Sequence, residues 1–376
     1  MAKRPKTAEL GPAGAKFRSG DPLNGGDLWS LAEALSAVLA EATEELPPDP
    51  TAELAKRLRE VTSPFLQRRR GMRSGQAVEQ PFDAEWLALR EPFDARARNR
   101  NLAHRFAASL PERVTLLELG AGTGSLFRWL APIIARPQQW LCFDEDENHL
   151  QRGVRLTASW GRRLGYTVEP GEDETSLTLH TPHGPWSMQG VGCDLEDPPV
   201  FLPLDDVDAV VCSALLDLFS EQWLTELVFS LGRVPFYAAM TVTGGGWSNH
   251  HDPDDALVRE GFRRNQTGNG PRSDGLGPEA AFAAEWLARQ VGLHYEWRRS
   301  DWTIGPRDRA MLRRVLAFHA GGARNALPQH RARIDAWEAR RNRDVDAGRL
   351  AMRIAHRDLL ISTPEKGPRH AARRRR

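Results

Sequence analysis

Three glycines at alternate positions, Gly120, Gly122 and Gly124, close a run of β-branched and leucine residues, Val114 to Leu119, and a helical pattern starts at Leu126. A strand, a tight turn and a helix start present backbone N–H groups to a polar or anionic ligand, and a side chain at those points would push the ligand away. The spacing then bears on the ligand. A dinucleotide fingerprint wants its third glycine three residues after the second, where this chain has Ser125, and an acidic residue, Glu118, stands two before the first glycine. On the turn alone, a plain strand-to-helix connection or another nucleotide site stays open. One strand-helix-strand unit further on, the apolar run Trp140 to Phe143 stops at Asp144. A carboxylate there can accept hydrogen bonds from both hydroxyls of a ribose, with Asp146 as the near alternative. Downstream, the adjacent His250 and His251 are candidates for a general base or simply a solvent-exposed pair. No third ligand stands at metal-site spacing, so no metal is expected.

Holding such groups together takes an alternation of strands and helices, and the chain supplies one. Phe82 to Leu110 reads as two short helices meeting at Glu91-Pro92. After the glycine turn come a helix to Ala135, the strand ending at Asp144, and a helix from Glu147 to about Leu164. The segment 166–191 alternates and turns at Pro170-Gly171 and Pro182-His183-Gly184, which predicts a β-hairpin insertion outside the core sheet. The chain returns through Val191 to Leu195, and a fourth strand, Ala209 to Cys212, opens into Ser213 to Phe219. A helix from Glu221 to Leu231 leads to a fifth strand, Phe236 to Val242. Residues 248–277 are polar and turn-rich around a short helix, Asp255 to Arg264, and read as a lid. Then follow a helix at Pro278 to Val291, an alternating strand at His294 to Ile304, an insertion at 307–347 with helices Asp308 to Ala320 and His330 to Val345, and a last strand around Met352 to Ile361. The expected fold is α/β, with ligands held outside the carboxyl ends of parallel strands between the first and the fourth. That places Ser213 to Asp217 at the ligand's reacting end and adds Asp217 to the base candidates.

At 376 residues with a formal net charge of +1, no global field points to nucleic acid or membrane. The ends are nonetheless basic. Residues 1–26 and 365–376, the latter ending in four arginines, read as disordered termini, and a nucleic-acid contact is the competing use. Between them, residues 27–80 predict a helical extension, with an apolar face on residues 28–62 suited to the main domain, a partner chain or self-association. Cys142, Cys193 and Cys212 are odd in number, lack C-x-x-C spacing and sit in apolar core runs, so reduced thiols in a soluble cytoplasmic protein are expected. No run approaches a membrane span.

The E-x-G-x-G-x-G pattern at Glu118 to Gly124, the acid at Asp144 and the order of the following elements resemble class I methyltransferases that use S-adenosyl-L-methionine (SAM) over residues 81–364. The resemblance implies a Rossmann-like seven-stranded, mostly parallel sheet with helices on both faces and a terminal antiparallel pair. It also implies a cofactor held by Glu118, Gly120, Ala121, Gly122 and Gly124 in the loop and by Asp144 at the ribose. Asp194 would take the adenine amino group while the Leu195 backbone reads the ring, and Ser213 would lie beside the transferring methyl. A basic residue of the preceding helix, Arg90 or Arg98, would pair with the methionine carboxylate, because guanidinium matches a carboxylate with two parallel hydrogen bonds. W-L-A-L-R-E-P-F-D-A-R-A-R-N-R at 86–100, S-A-L-L-D-L at 213–218 and H-R-D-L-L at 356–360 are similar to a bacterial group of small-molecule methyltransferases. The N/D-P-P-Y/F signature of adenine and glutamine amine methyltransferases is absent. The expected activity is therefore methyl transfer to an O or N nucleophile of a small molecule. The alternatives are an RNA or protein methyltransferase using the basic termini, and an NAD(P)-dependent oxidoreductase on a similar fold.

Overall fold

The computed structural model describes residues 82–195, 197–247, 249–267 and 275–364. The expected disordered termini, the helical extension 27–80 and residues 248 and 268–274 of the expected lid lie outside the described residues.

The sheet grows outward from β1 (Val114–Leu119), whose side chains are buried on both faces apart from the half-buried Thr115, as a parallel strand covered by helices requires. On one side it pairs in parallel with β2 (Gln138–Asp144), which pairs in parallel with β5 (Gly184–Gly192). On the other it pairs with β6 (Ala209–Ser213), and β6 pairs with β7 (Phe236–Trp247), both in parallel. Antiparallel β10 (Met352–Ser362) and the edge strand β8 (His294–Arg299) complete a core of seven strands in the order β5-β2-β1-β6-β7-β10-β8. This is the mostly parallel sheet with a closing antiparallel pair that the resemblance implies. Three further strands bring the sheet to ten: β3 (Thr167–Pro170) and β4 (Ser176–Thr181) extend it antiparallel beyond β5, and β9 (Trp302–Ile304) pairs with β10.

Two local expectations are corrected. The third core strand is longer than Val191 to Leu195, because Gly184–Gly192 runs alongside the whole of β2 and belongs to the core rather than to a hairpin insertion. Its alternation reflects one face meeting α4 (Glu147–Arg163), where Trp186 and Met188 are fully buried. The break between the first two helices also moves. Helix α1 (Ala84–Ala97), capped by Asp83 accepting from Trp86 N at 2.7 Å, runs through Pro92, whose missing N–H forfeits a single intrahelical bond. It ends where Arg98 turns extended, and Asn99 Oδ1 accepts from Leu102 N to cap α2 (Arg100–Ser109).

Past its pairing with β6, β7 continues with β10 and β9 as a three-stranded arm beyond the carboxyl edge. A bulge marks its root: Met240 adopts φ +57° and donates its N–H to the buried Asp358 carboxylate at 2.8 Å. Helix α8 (Arg309–Ala326) packs on α6 (Asp255–Thr267) and α9 (Arg331–Asp346), and their buried Val258, Leu312 and Trp337 join the core cluster that also holds Ile304 and Met352 of the arm. Helices α6 and α8 approach so closely that a methyl group on Gly261 would come within 2.8 Å of Ala323, and one on Gly322 within 2.8 Å of Phe262. No helix among the described residues is long and apolar enough to cross a membrane.

Candidate functional site

Beyond β1 the chain turns sharply and enters α3 (Ser125–Ile134). Gly120, Gly122 and Gly124 have φ of +64°, +52° and +76°, a region that disfavours any side chain. Gly120 has the further reason that an added methyl would lie 2.8 Å from Leu215, on the segment leaving β6. The loop is fastened to β2 at two points: Ala121 N donates to Phe143 O at 3.0 Å, and Gly122 N donates to Asp144 Oδ2 at 2.7 Å. The other oxygen of Asp144 accepts from Asp146 N at 2.9 Å. Burial raises the Asp144 pKa, and these two N–H donors oppose the rise. His149, at the start of α4, stands 4.0 Å from the same carboxylate and 3.7 Å from Asp146. Asp146 itself caps α4 by accepting from Asn148 N.

Asp144 also ties in the next strand, since its carbonyl accepts from Cys193 N at 2.9 Å. Asp194, 6% exposed, and the half-buried Leu195 follow at once, so the three acidic or backbone positions expected to meet a nucleoside share one edge of two adjacent strands. Ser213 ends β6 on the other side of β1. Ala214 after it is forced to φ +54°, held by its N–H donating to Ala239 O at 2.9 Å. Strain at a non-glycine residue persists where surroundings fix it, and such residues concentrate at functional sites.

Arg98 links the two sides. Its guanidinium donates to Ser125 Oγ at 2.9 Å, to Ser125 O at 3.2 Å and to Ser213 Oγ at 2.9 Å, while its Nε is buried without an acceptor among the described residues. Beneath it Glu118 is 1% exposed and accepts a weak bond from Cys142 Sγ at 3.8 Å. Burial pushes the Glu118 pKa up to about 8, against the pull of Arg98. Arg90 sits elsewhere. It pairs with Asp94, whose Oδ1 also accepts from Trp302 Nε1 at 2.9 Å, and lies over the Trp302 ring, so it joins α1 to β9 rather than to the glycine loop.

The base candidates are scattered. Asp217 lies in the one-turn 3-10 helix Leu216–Leu218, and the returning end of the expected lid closes on it, with Leu276 N donating to Phe219 O at 2.8 Å. His250 and His251 are exposed on the arm side, His250 3.7 Å from Asp344. They are not brought to the glycine loop.

Sequence reasoning passed over Arg128, although a lone arginine in the otherwise apolar helix Leu126 to Ala135 was the available signal. It is 8% exposed and braces the loop from below: Nη1 donates to Thr123 O at 2.7 Å and to Thr157 Oγ1 at 3.1 Å, and Nε and Nη2 donate to Glu91. Asp358 was also missed as a hub. Fully buried in β10, it accepts from Asn99 N at 2.6 Å and from Met240 N, fixing the joint that carries Arg98.

The glycine loop after β1, the Asp144 carboxylate at the end of β2 and the Arg98 guanidinium joining Ser125 of α3 to Ser213 of β6 lie at the carboxyl edge of the parallel strands, where the strand order reverses. Among solved structures, the chain is similar to a cyclopropane-fatty-acyl-phospholipid synthase-like protein from Lactobacillus casei (13% identity, 72% of this chain and 98% of that one, TM-score 0.36) and to the cyclopropane synthase MmaA2 from Mycobacterium tuberculosis (12%, 70% and 82%, 0.33). A phosphoethanolamine N-methyltransferase from Haemonchus contortus, solved with S-adenosylhomocysteine and phosphomonomethylethanolamine, is similar at 12% identity over 76% of this chain and 58% of that one, with a TM-score of 0.36. No protein-family model and no curated protein matches the sequence.

Proposed function

We propose that the chain is a SAM-dependent methyltransferase acting on an O or N nucleophile of a small molecule. The observation that carries this reading is the joint between Gly122 N and Asp144 Oδ2, 2.7 Å long at the carboxyl edge. It sets bare backbone and a carboxylate side by side where a nucleoside's sugar and tail would meet them. Arg98 fits the same group, since its buried Nε has no acceptor among the described residues and a ligand carboxylate would supply one.

When bound, SAM supplies a methyl on a sulfonium that is already activated. The acceptor's lone pair forms the new bond to carbon as the carbon–sulfur bond breaks, and S-adenosylhomocysteine (SAH) leaves. The protein's task is alignment and exclusion of water, and positioning of this kind is worth about 7 to 11 kcal/mol. In this reading the loop and Asp144 hold the nucleoside, Asp194 and Leu195 flank its base, and Arg98 orients the charged tail. Ser213 and the strained Ala214 shape the floor beside the reacting carbon. Asp217 is the base candidate that the fold leaves on the segment following β6. The stitch between Leu276 and Phe219 supports a small acceptor, because it draws polypeptide across that side of the cleft.

Calorimetric titration tests the cofactor: SAH should bind, and NAD(H) should not bind more tightly. Incubation with methyl-labelled SAM and a fractionated extract tests the acceptor, with label expected in the small-molecule fraction. Label in RNA or protein would overturn the acceptor class and leave the cofactor standing.

A further inference from the structure

We propose that the edge strand β8 is the seam of a two-fold dimer of this chain, in which the sheets of two copies join antiparallel through their β8 strands, centred on Trp297. The inference is independent of the cofactor reading.

β8 ends the strand order, and among the described residues no strand lies outside it. An edge strand is a template for another strand, and here, among the described residues, only side chains meet its outward carbonyls, Arg298 donating to Trp297 O at 2.7 Å and Asn99 to Arg299 O at 3.4 Å. This one is backed by aromatic surface. Trp297 on β8 and Phe282 and Trp286 on α7 (Ala280–Gln290) are 36%, 44% and 58% exposed, three of the eight large apolar side chains exposed among the described residues. Arg357 of β10 lies between Phe282 and Trp297, 4.2 Å and 3.9 Å from their ring centres, and holds them as one platform. A depression of about 730 Å³ runs along the edge, lined by residues 295–299 with Asn99, Glu285 and Arg289. It contains none of the cofactor residues.

The sequence of the strand specifies the occupant. Its six residues, His-Tyr-Glu-Trp-Arg-Arg, complement themselves when run antiparallel about residue 297. Trp297 then faces the second copy's Trp297, Glu296 faces its Arg298 and Arg298 its Glu296, and Tyr295 faces its Arg299. Directly opposed pairs of this kind, aromatic with aromatic and acid with base, are the ones that stabilise antiparallel sheets. The charges already favour the pairing chemistry within one copy, where Glu296 accepts from Arg298 at 2.6 Å and from Arg105 at 2.7 Å. The neighbouring register still sets Glu296 against an arginine, Arg299, but it places Trp297 against Arg298 and loses the aromatic pair. A polyanion such as single-stranded RNA also likes arginine beside exposed rings. Here, however, Arg289 is paired with Glu285, Arg298 and Arg105 share Glu296, Arg299 stands 3.9 Å from Asp301 and Arg357 is enclosed by rings, so the arginines of this net-basic patch already have partners within the chain.

Sedimentation equilibrium of the full chain from about 1 to about 100 µM should give twice the mass of one chain at the upper end, the range a standard-sized interface reaches. Glu296→Arg alone sets arginine against arginine, and Arg298→Glu alone sets glutamate against glutamate. Each should weaken association about 10-fold or more, and the double swap E296R/R298E should restore it, with thermal melts confirming that all three fold. A monomeric wild type overturns the proposal. So does a dimer indifferent to the single swaps, and so does a double swap that fails to rescue. An oligouridine probe that binds wild type and is lost in R298E without any change in mass would overturn it in favour of a nucleic-acid platform.

Discussion

The glycine loop and the segment that follows the arm are both held by buried arginines, but in opposite ways. Under the loop, Arg128 and Arg98 donate mainly to backbone carbonyls and hydroxyls, at Thr123, Ser125 and Ser213. The loop's oxygens are gripped by arginine, and the N–H groups of Ala121 and Gly122 are taken by β2. Across the arm, residues 249–255 are gripped through carboxylates. Arg340 binds Asp252 at 2.7 Å and Asp254 at 2.8 Å, and Trp337 Nε1 donates to Asp255 at 2.8 Å. Arg341, with no exposed surface, pairs with Asp255 and donates to His250 O at 3.0 Å. Around the loop arginine meets mostly neutral oxygens, with Glu91 the one carboxylate on Arg128, whereas across the arm it meets mostly carboxylates. The difference teaches that buried charge near a sheet edge is not by itself a mark of a binding site; what the charges leave unspent is.

The widest separation of the two regions should come from Asp255→Ala. Removing one partner of a buried pair leaves Arg341 with the longer contact to Asp344 as its carboxylate, which costs about 3 kcal/mol, read as a lower urea midpoint, while the folded fraction still binds SAH. An equal loss of SAH affinity would erase the distinction. Gly122→Arg acts the other way. At φ +52° with the Asp144 joint at its N–H, it should lower SAH affinity about 100-fold, or about 2.7 kcal/mol, by calorimetry, and shift the urea midpoint less than Asp255→Ala does. Asp144→Ala should cost about 10-fold in SAH affinity, as a charge-assisted contact does.

A pH effect at Glu118 stands outside this order. Its pKa is raised from 4.5 to about 8, so the folded chain keeps a proton that the unfolded chain releases. Stability from this group is full below pH 4.5 and falls as pH rises toward 8. Glu118→Gln should therefore match wild type at low pH and become relatively more stable through that window, which melts at several pH values would read. His250→Ala and His251→Ala, at exposed positions, should leave both SAH affinity and melting temperature where they are. A large loss of turnover in either would bring the arm side into the chemistry.

The loop end was largely legible in the sequence because its determinants are local. Alternate glycines, a strand of buried apolar residues and an acid at the next strand's end all lie within one strand-helix-strand unit, and the structure sets Asp144 against Gly122 accordingly. The arm end was not. Asp252 and Arg340, Asp255 and Trp337, and Asn99 and Asp358 are partners separated by 88, 82 and 259 positions, and nothing in the spacing of either residue names the other. Pro92 misled for a related reason: its local veto on helix is weak beside the burial of Trp86 and Phe93 on one continuous face. The position of Arg98 beside the loop was suggested by its place before β1, whereas its distinction from Arg90 needed Asp94, which pairs with Arg90.

With Gly122, Thr123 and Ser125 each fastened and a methyl on Gly153 only 3.1 Å from the Thr123 carbonyl carbon, the loop has little room to wander. An arriving nucleoside would meet a surface already in its final shape. Its capture in a rapid-mixing trace should then be a single exponential whose rate climbs linearly with ligand concentration, with no slower plateau to signal a rearrangement.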